Sequence, residues 1–317
     1  MPTVRAVLRT LRDAVLTGFL LLLGWGAAQC SFRLRRAAGR LLGRLWWWGS
    51  PLRRRTTLEN LRRAFPEFSP AQRMQLARRC YDNAGTVLLE IAAMGWMSEQ
   101  ALRTAVRFEN PELFARCVGK GRGLLLLSAH YGNWEWLACA AGLCLRSLGV
   151  PVTVVVKRQH NPFVDALLNR YRQRWGNRTV PLERAPWAIA RAVRSGEAVA
   201  MLADQRAAPE HALWLPFLGY PAATHTAFAR LALRFRMPVI LGFARRQPDG
   251  SYSVRLEELP VEELPDSPEG VRRLTAYYLK RLEGAIAQAP ELWLWQHRRW
   301  RDSPPPVYAP DATASTA

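Results

Sequence analysis

The sequence predicts an α/β fold, with a mostly parallel central sheet flanked by helices and an added N-terminal membrane helix. Three observations predict it. Short continuous apolar runs recur at residues 123–127, 152–156, 198–203 and 239–244. Strands buried on both faces of a parallel sheet read in this way. Stretches of helical period separate the runs, as crossover connections require. Residues 14–32, AVLTGFLLLLGWGAAQCSF, are nearly uncharged, long enough to cross about 30 Å of hydrocarbon.

That first run has three readings: a spanning helix, a cleavable signal with a small-residue site at Ala27-Ala28, or a helix lying in the membrane interface. Arg33, Arg35, Arg36, Arg40 and Arg44 follow it and outnumber Arg5, Arg9 and Arg12 before it. This bias keeps the downstream side in the cytoplasm. Trp46-Trp47-Trp48 suits either the headgroup level or core packing. Residues 1–50 are therefore expected to be a membrane anchor and interfacial segment.

Residues 57–65 read as a short helix ended by Pro66, and Ser69-Pro70-Ala71-Gln72 carries the start signals of a longer one reaching about Met94. A strand stub and a short helix are expected over 108–120. The stretch 163–175 has helical period, and 186–195 reads as a helix stopped by Gly196. Residues 214–219 are read as an apolar loop, either packing or lining a groove. A helix over 228–235 precedes the fourth core strand, and residues 251–256 alternate as a half-exposed hairpin strand. Ser267-Pro268-Glu269 opens a last long helix, with Val271, Leu274, Tyr278, Leu282 and Ile286 on one face. The Pro-, Ala- and Thr-rich residues 303–317 are expected to be disordered.

A formal charge of +20 calls for an anionic partner: nucleic acid, membrane phosphates or an acidic protein. The arginines are scattered and no nucleic-acid module is recognisable, so no nucleic acid is expected. Five cysteines without a CxxC pair point to reduced thiols. No phosphate-binding P-loop string and no Gly-x-Ser-x-Gly elbow is present.

The chemistry concentrates in Ser128-Ala129-His130-Tyr131-Gly132-Asn133-Trp134-Glu135-Trp136. The first core strand leads into it and an apolar helix leaves it. With His130 in the turn and Glu135 on the first helical turns, the carboxylate would hold one imidazole nitrogen and free the other to take a hydroxyl proton. A hydrogen-bonded packing histidine is the plain alternative. A metal site is not expected, since no second histidine lies within helical reach. The second strand delivers Lys157 and Arg158, placed to hold a phosphate or a thioester oxygen or to be an ordinary solvated pair. His160 follows with no carboxylate beside it. The third strand delivers Asp204 and Gln205. Asp204 would orient a hydroxyl, clamp a basic side chain or cap the turn.

The His-x4-Glu block with Gly-Asn-Trp between resembles the late acyltransferases of lipid A biosynthesis, a branch of the lysophospholipid acyltransferase superfamily. Other pieces carry the same likeness: Asn60-Leu61 to Pro66-Glu67, Lys157 before Asn161-Pro162, Gly196-Glu197 before Asp204-Gln205, and the 291–300 block with its tryptophans and arginines. Arg206 departs from the acidic residue that many relatives place after Asp-Gln. The resemblance implies an acyltransferase domain over 51–302 and no cofactor. It implies transfer from an acyl carrier protein thioester to a lipid A precursor at the inner membrane, with the domain cytoplasmic. His130 would be the base and Glu135 its partner. Gly132, Asn133, Lys157, Arg158, Asn161, Asp204 and Gln205 would bind substrate. Two other classes remain: an acyltransferase of another glycolipid, lysophospholipid or aminolipid, and a non-catalytic basic membrane-binding protein.

Overall fold

Four helices open the chain in the computed structural model, which describes residues 4–208 and 212–303. They are α1 (Val4–Gln29), α2 (Phe32–Gly49), α3 (Pro51–Ala64) and α4 (Pro70–Ala93). Ser69 caps α4 in a capping box: its hydroxyl accepts from Gln72 N–H at 3.3 Å, and Ser69 N–H donates to Gln72 Oε1 at 2.7 Å. α1 and α2 both pack along α4. Gly39 and Gly43 of α2 face Thr86, Tyr81 and Gly85 of α4 so closely that an added Cβ on either glycine would overlap the α4 backbone.

The expected N-terminal membrane helix is not confirmed as a spanning segment. Among the described residues no helix is long and apolar enough to cross a membrane. α1 has two faces. Asp13, Thr17, Gly24 and Ala27 are buried on the body, whereas Leu8, Leu11, Val15, Leu22 and Trp25 face outward. Arg35 also leaves the solvated cationic flank. Its Nε donates to the Ala27 carbonyl at 2.8 Å and its guanidinium lies 5.9 Å from the Trp136 ring centroid. The tryptophan cluster divides: Trp47 is buried edge-on against Tyr81, and Trp48 is exposed.

α5 (Glu99–Ala105), β1 (Val106–Phe108) and α6 (Glu112–Val118) lead into the body. Then β2 (Leu124–Ser128), α7 (Trp134–Ser147), β3 (Val152–Val156), α8 (Pro162–Arg174) and β4 (Asn177–Pro181) alternate. α9 (Ala185–Ser195) ends at left-handed Gly196, and β5 (Ala198–Leu202) follows. After β6 (Leu213–Phe217), β7 (Tyr220–Thr224) and α10 (Ala227–Phe235) come β8 (Val239–Gly242), β9 (Arg245–Arg246), β10 (Tyr252–Val254) and β11 (Leu256–Glu258). α11 (Pro268–Gln288) is the long last helix.

The six-stranded sheet has the order β11-β8-β2-β5-β3-β4, with β11 alone antiparallel. β1, β10 and β9 form a second small sheet, and β6 pairs with β7 in a hairpin. Alternate residues of each core strand face opposite clusters. Leu125, Leu127, Val199 and Val239 pack with α9, α10 and α11, while Leu124, Leu126, Val152 and Ile240 pack with α7.

Three local expectations change. Residues 214–219 are not a loop: Leu215 and Phe217 are buried on one face of the β6–β7 hairpin. Its two-residue turn holds Leu218 and Gly219 at φ 48° and 80°, a geometry usually signalled by Asn-Gly, so leucine hides it. This hairpin does not line the central cavity. The alternating segment at 251–256 is split between two sheets, β10 pairing with β9 and β11 with β8. β4 is an edge strand without a strong apolar run. The expected disordered tail, 303–317, lies outside the described residues from 304 onward.

Candidate active site

β5 lies directly beside β2, and the register pairs Ser128 with Leu202. Neighbouring strands sit about 4.8 Å apart, so residues two beyond each C-terminal end meet. Those residues are His130 and Asp204. His130 Nδ1 lies 2.8 Å from Asp204 Oδ1, and His130 N–H donates to Oδ2 at 3.0 Å. Trp293 Nε1–H donates to the same Oδ2 at 2.9 Å. Asp204 is 2 % exposed. Burial pushes its carboxyl up, but the His130 charge and the hydrogen bonds from His130 and Trp293 outweigh that and leave it below the ordinary carboxylate range. An ionised Asp204 accepts the Nδ1 proton, which leaves a lone pair on Nε2. The amide nitrogen of Gln205 stands 3.3 Å from that Nε2.

The carboxylate on the imidazole is therefore Asp204, and the expected role of Glu135 is corrected. Glu135 is buried on the first turn of α7 and is taken by Arg172 of α8. Arg172 Nε donates to Oε2 at 2.8 Å and Nη2 to Oε1 at 2.6 Å. Burial pulls the Arg172 guanidinium down, and the Glu135 charge and hydrogen bond more than restore it, so its pKa stands above the ordinary value. A bidentate fork of this kind has no reason to release its carboxylate to an imidazole. Glu135 and His130 do line one cavity.

The turn between them is held from three sides. Gly132, at φ 58°, packs so closely on the Ala244 carbonyl that any side chain would overlap it. Its N–H donates to the Leu292 carbonyl at 2.9 Å. Asn133 caps α7 by accepting from Trp136 N–H at 3.0 Å, and its Nδ2 donates to buried Glu90 at 3.1 Å. Glu90 is also held by Arg246 and by the Tyr252 hydroxyl at 2.7 Å. Gly132 and Asn133 thus shape the turn that carries His130 into α7.

Asn161 is likewise committed. It caps α8 by accepting from Phe163 N–H at 2.9 Å, and it donates to the Asp13 carbonyl of α1 at 3.1 Å. Lys157 is exposed at the cavity, Gln205 lines it, and Arg158 is exposed outside its lining.

The cavity has a volume of about 790 Å³ and a largely apolar wall. It runs between α7, α8, α4 and α1, past His130 and Glu135, to Leu126, Val154 and Ile240 on the sheet. Among the described residues no group of three or more His, Cys, Asp or Glu is placed to hold a metal ion.

Three participants were not legible as such. Trp293 sits in a block noticeable for its tryptophans and arginines, with nothing to link it to Asp204. Arg172 is one of three alternate arginines at 170, 172 and 174, and helical phase alone does not say which one turns inward. His297 comes from the same C-terminal block as Trp293. Its Nε2 accepts the Arg206 N–H at 3.1 Å, and burial lowers its pKa to about 4. Between the ordinary 6.5 and about 4, the unfolded chain binds this proton and the folded chain does not. Stability attributable to His297 is therefore intact above 6.5 and falls by about 3 kcal/mol as pH drops through that window. Urea unfolding of a His297→Gln variant is expected to show a flatter pH dependence over this interval than the parent.

Comparison with known proteins agrees with this frame. The family model described as bacterial lipid A biosynthesis acyltransferase matches residues 5–302. The chain is 27% identical to a lipid A biosynthesis acyltransferase of Haemophilus influenzae, over 87% of this chain and 83% of the relative. It is 24% identical to the lipid A biosynthesis lauroyltransferase of Escherichia coli, over 88% and 89%. It is also 24% identical to the palmitoleoyltransferase of the same organism, over 80% and 81%. The match over nearly the whole chain, on top of a strand-end histidine facing an apolar cavity, establishes that the protein belongs to the bacterial lipid A biosynthesis acyltransferase family.

Proposed function

We propose that this protein moves a fatty acyl group from an acyl carrier protein thioester to a hydroxyl of a lipid A precursor, with His130 as general base. One observation carries the reading. An imidazole is locked at Nδ1 on a buried, ionised carboxylate, and its ring lines an apolar cavity of about 790 Å³. The hydroxyl gives its proton to Nε2 as its oxygen attacks the thioester carbonyl. The tetrahedral intermediate then expels the thiolate, which takes the proton back from the imidazolium. General-base help of this kind is worth about 10²–10⁴ in rate.

Lys157 at the cavity and the N-terminal end of α7 supply positive potential for the developing oxyanion. The apolar wall suits the donor's chain, each buried methylene contributing about 0.8 kcal/mol. The net charge of +20 suits both an acidic carrier protein and lipid phosphates.

Attachment to the inner membrane fits an interfacial helix. The outward apolar residues of α1, with exposed Leu34, Leu41 and Leu45 of α2, lie near exposed Arg33, Arg36, Arg40 and Arg44. That combination favours the headgroup boundary of an anionic leaflet.

The test is purified full-length protein in detergent with acyl carrier protein thioesters and a lipid A precursor bearing a free hydroxyl. Mass spectrometry should find one added acyl chain on the precursor. Transfer to a lysophospholipid and none to the precursor overturns the acceptor, and no transfer to any hydroxyl overturns the reaction.

A further inference from the structure

We propose that α1 is a selectivity wall of the cavity, with Leu23 limiting the length of acyl chain it accepts; this rests on the acyl-transfer reading above. An N-terminal helix with an apolar outer face would serve attachment alone if its inner face met only packed protein. Here it does not. Leu23 is half-buried and lines the cavity together with Leu89 and Ala92 of α4, while Phe19 and Leu20 stand partly exposed along the same wall.

The wall is fixed in place, which is what a length limit needs. At one end Asn161 donates to the Asp13 carbonyl at 3.1 Å. At the other end Arg35 donates to the Ala27 and Cys30 carbonyls at 2.8 and 3.1 Å, and its guanidinium lies over the Trp136 ring of α7. Between them Gly24 packs on the Ala92 backbone and the Trp96 ring so closely that a Cβ would overlap both. A helix tied at three points cannot swing outward to admit a longer chain without losing these contacts. Its inner side chains then subtract a constant volume from the cavity.

The expected result is a change in selectivity without a change in attachment. Leu23→Trp adds bulk and should lower the ratio of long-chain to short-chain transfer at least tenfold, mainly through KM. Leu23→Ala should raise the same ratio. A parallel readout needs no turnover: displacement of a fluorescent polyene fatty acid by saturated fatty acids of graded length should shift the same way in both variants. Leu22→Ser with Trp25→Ser, on the outward face, should weaken cosedimentation with anionic vesicles and leave the ratio unchanged. Circular dichroism melting checks folding; should Leu23→Trp not fold, Leu23→Ala decides.

Unchanged length profiles in folded Leu23 variants overturn the proposal, as does a shifted ratio in the outward-face variant. If the wild type displaces the probe with a length profile that Leu23 controls but transfers nothing, the wall stands and the acyl-transfer reading fails.

Discussion

Asparagine in place of Asp204 is expected to cut the rate of acyl transfer about 10³–10⁴-fold while the protein stays folded. The reason is a tautomer. Two donors, His130 N–H and Trp293 Nε1–H, converge on Asp204 Oδ2. They would pin the amide oxygen of the asparagine there and turn its NH₂ toward His130 Nδ1. Nδ1 would then have to accept, the ring proton would move to Nε2, and the base would be lost. Substrate contacts are untouched, so kcat should fall and KM change little. His130→Ala is expected to abolish transfer with the fold and vesicle binding preserved. Initial rates on graded acyl thioesters, with melting curves alongside, measure both. Near-normal turnover in either variant would sink the base assignment.

Arg172→Met is expected to cost about 3–5 kcal/mol of stability, because it leaves the Glu135 carboxylate buried without its partner. The two side chains are only 8% and 11% exposed and share a bidentate contact. The double variant Arg172→Met with Glu135→Leu should recover most of that loss, since a well-packed apolar pair of similar volume is often no worse than a buried ion pair. Guanidinium unfolding of the two single variants and the double variant reads the coupling. Equal stability of Arg172→Met and the double variant would mean that Glu135 finds another partner and that the ion pair is not what holds α7 to α8. The contrast with Asp204→Asn is the useful part. One carboxylate acts through a proton on the imidazole, the other through the join of two helices, and only the first should leave stability nearly unchanged.

Much of this protein is local. The four apolar runs became β2, β3, β5 and β8 because a short run between turn residues has few other ways to be buried. Ser69 and Gln72 marked the start of α4 through bonds that span only three residues. His130 was legible as a candidate as well, because it stands in the turn between a buried strand and an apolar helix. Asp204 and Gln205 were legible from their place just after a buried strand, but their role was not.

What sequence could not decide was which acid meets the imidazole. Glu135 is five residues from His130 and Asp204 is seventy-four away, so proximity along the chain favours the wrong one. The choice is made by strand order. The chain passes from β2 to β3 and β4 and then returns to insert β5 between β2 and β3. That insertion sets the end of β5 against the end of β2, while α7 turns Glu135 toward an arginine thirty-seven residues on. The two-faced character of α1 was decided in the same way. Its composition reads as membrane-seeking, but which side chains face outward and which meet the cavity depends on where α4 and α8 lie. The residues themselves determined that a histidine would stand at the end of a buried strand. Only long-range packing determined which carboxylate meets it and what bounds the cavity beside it, because hydrogen bonds and van der Waals contacts act over a few ångströms of space, whatever the separation along the chain.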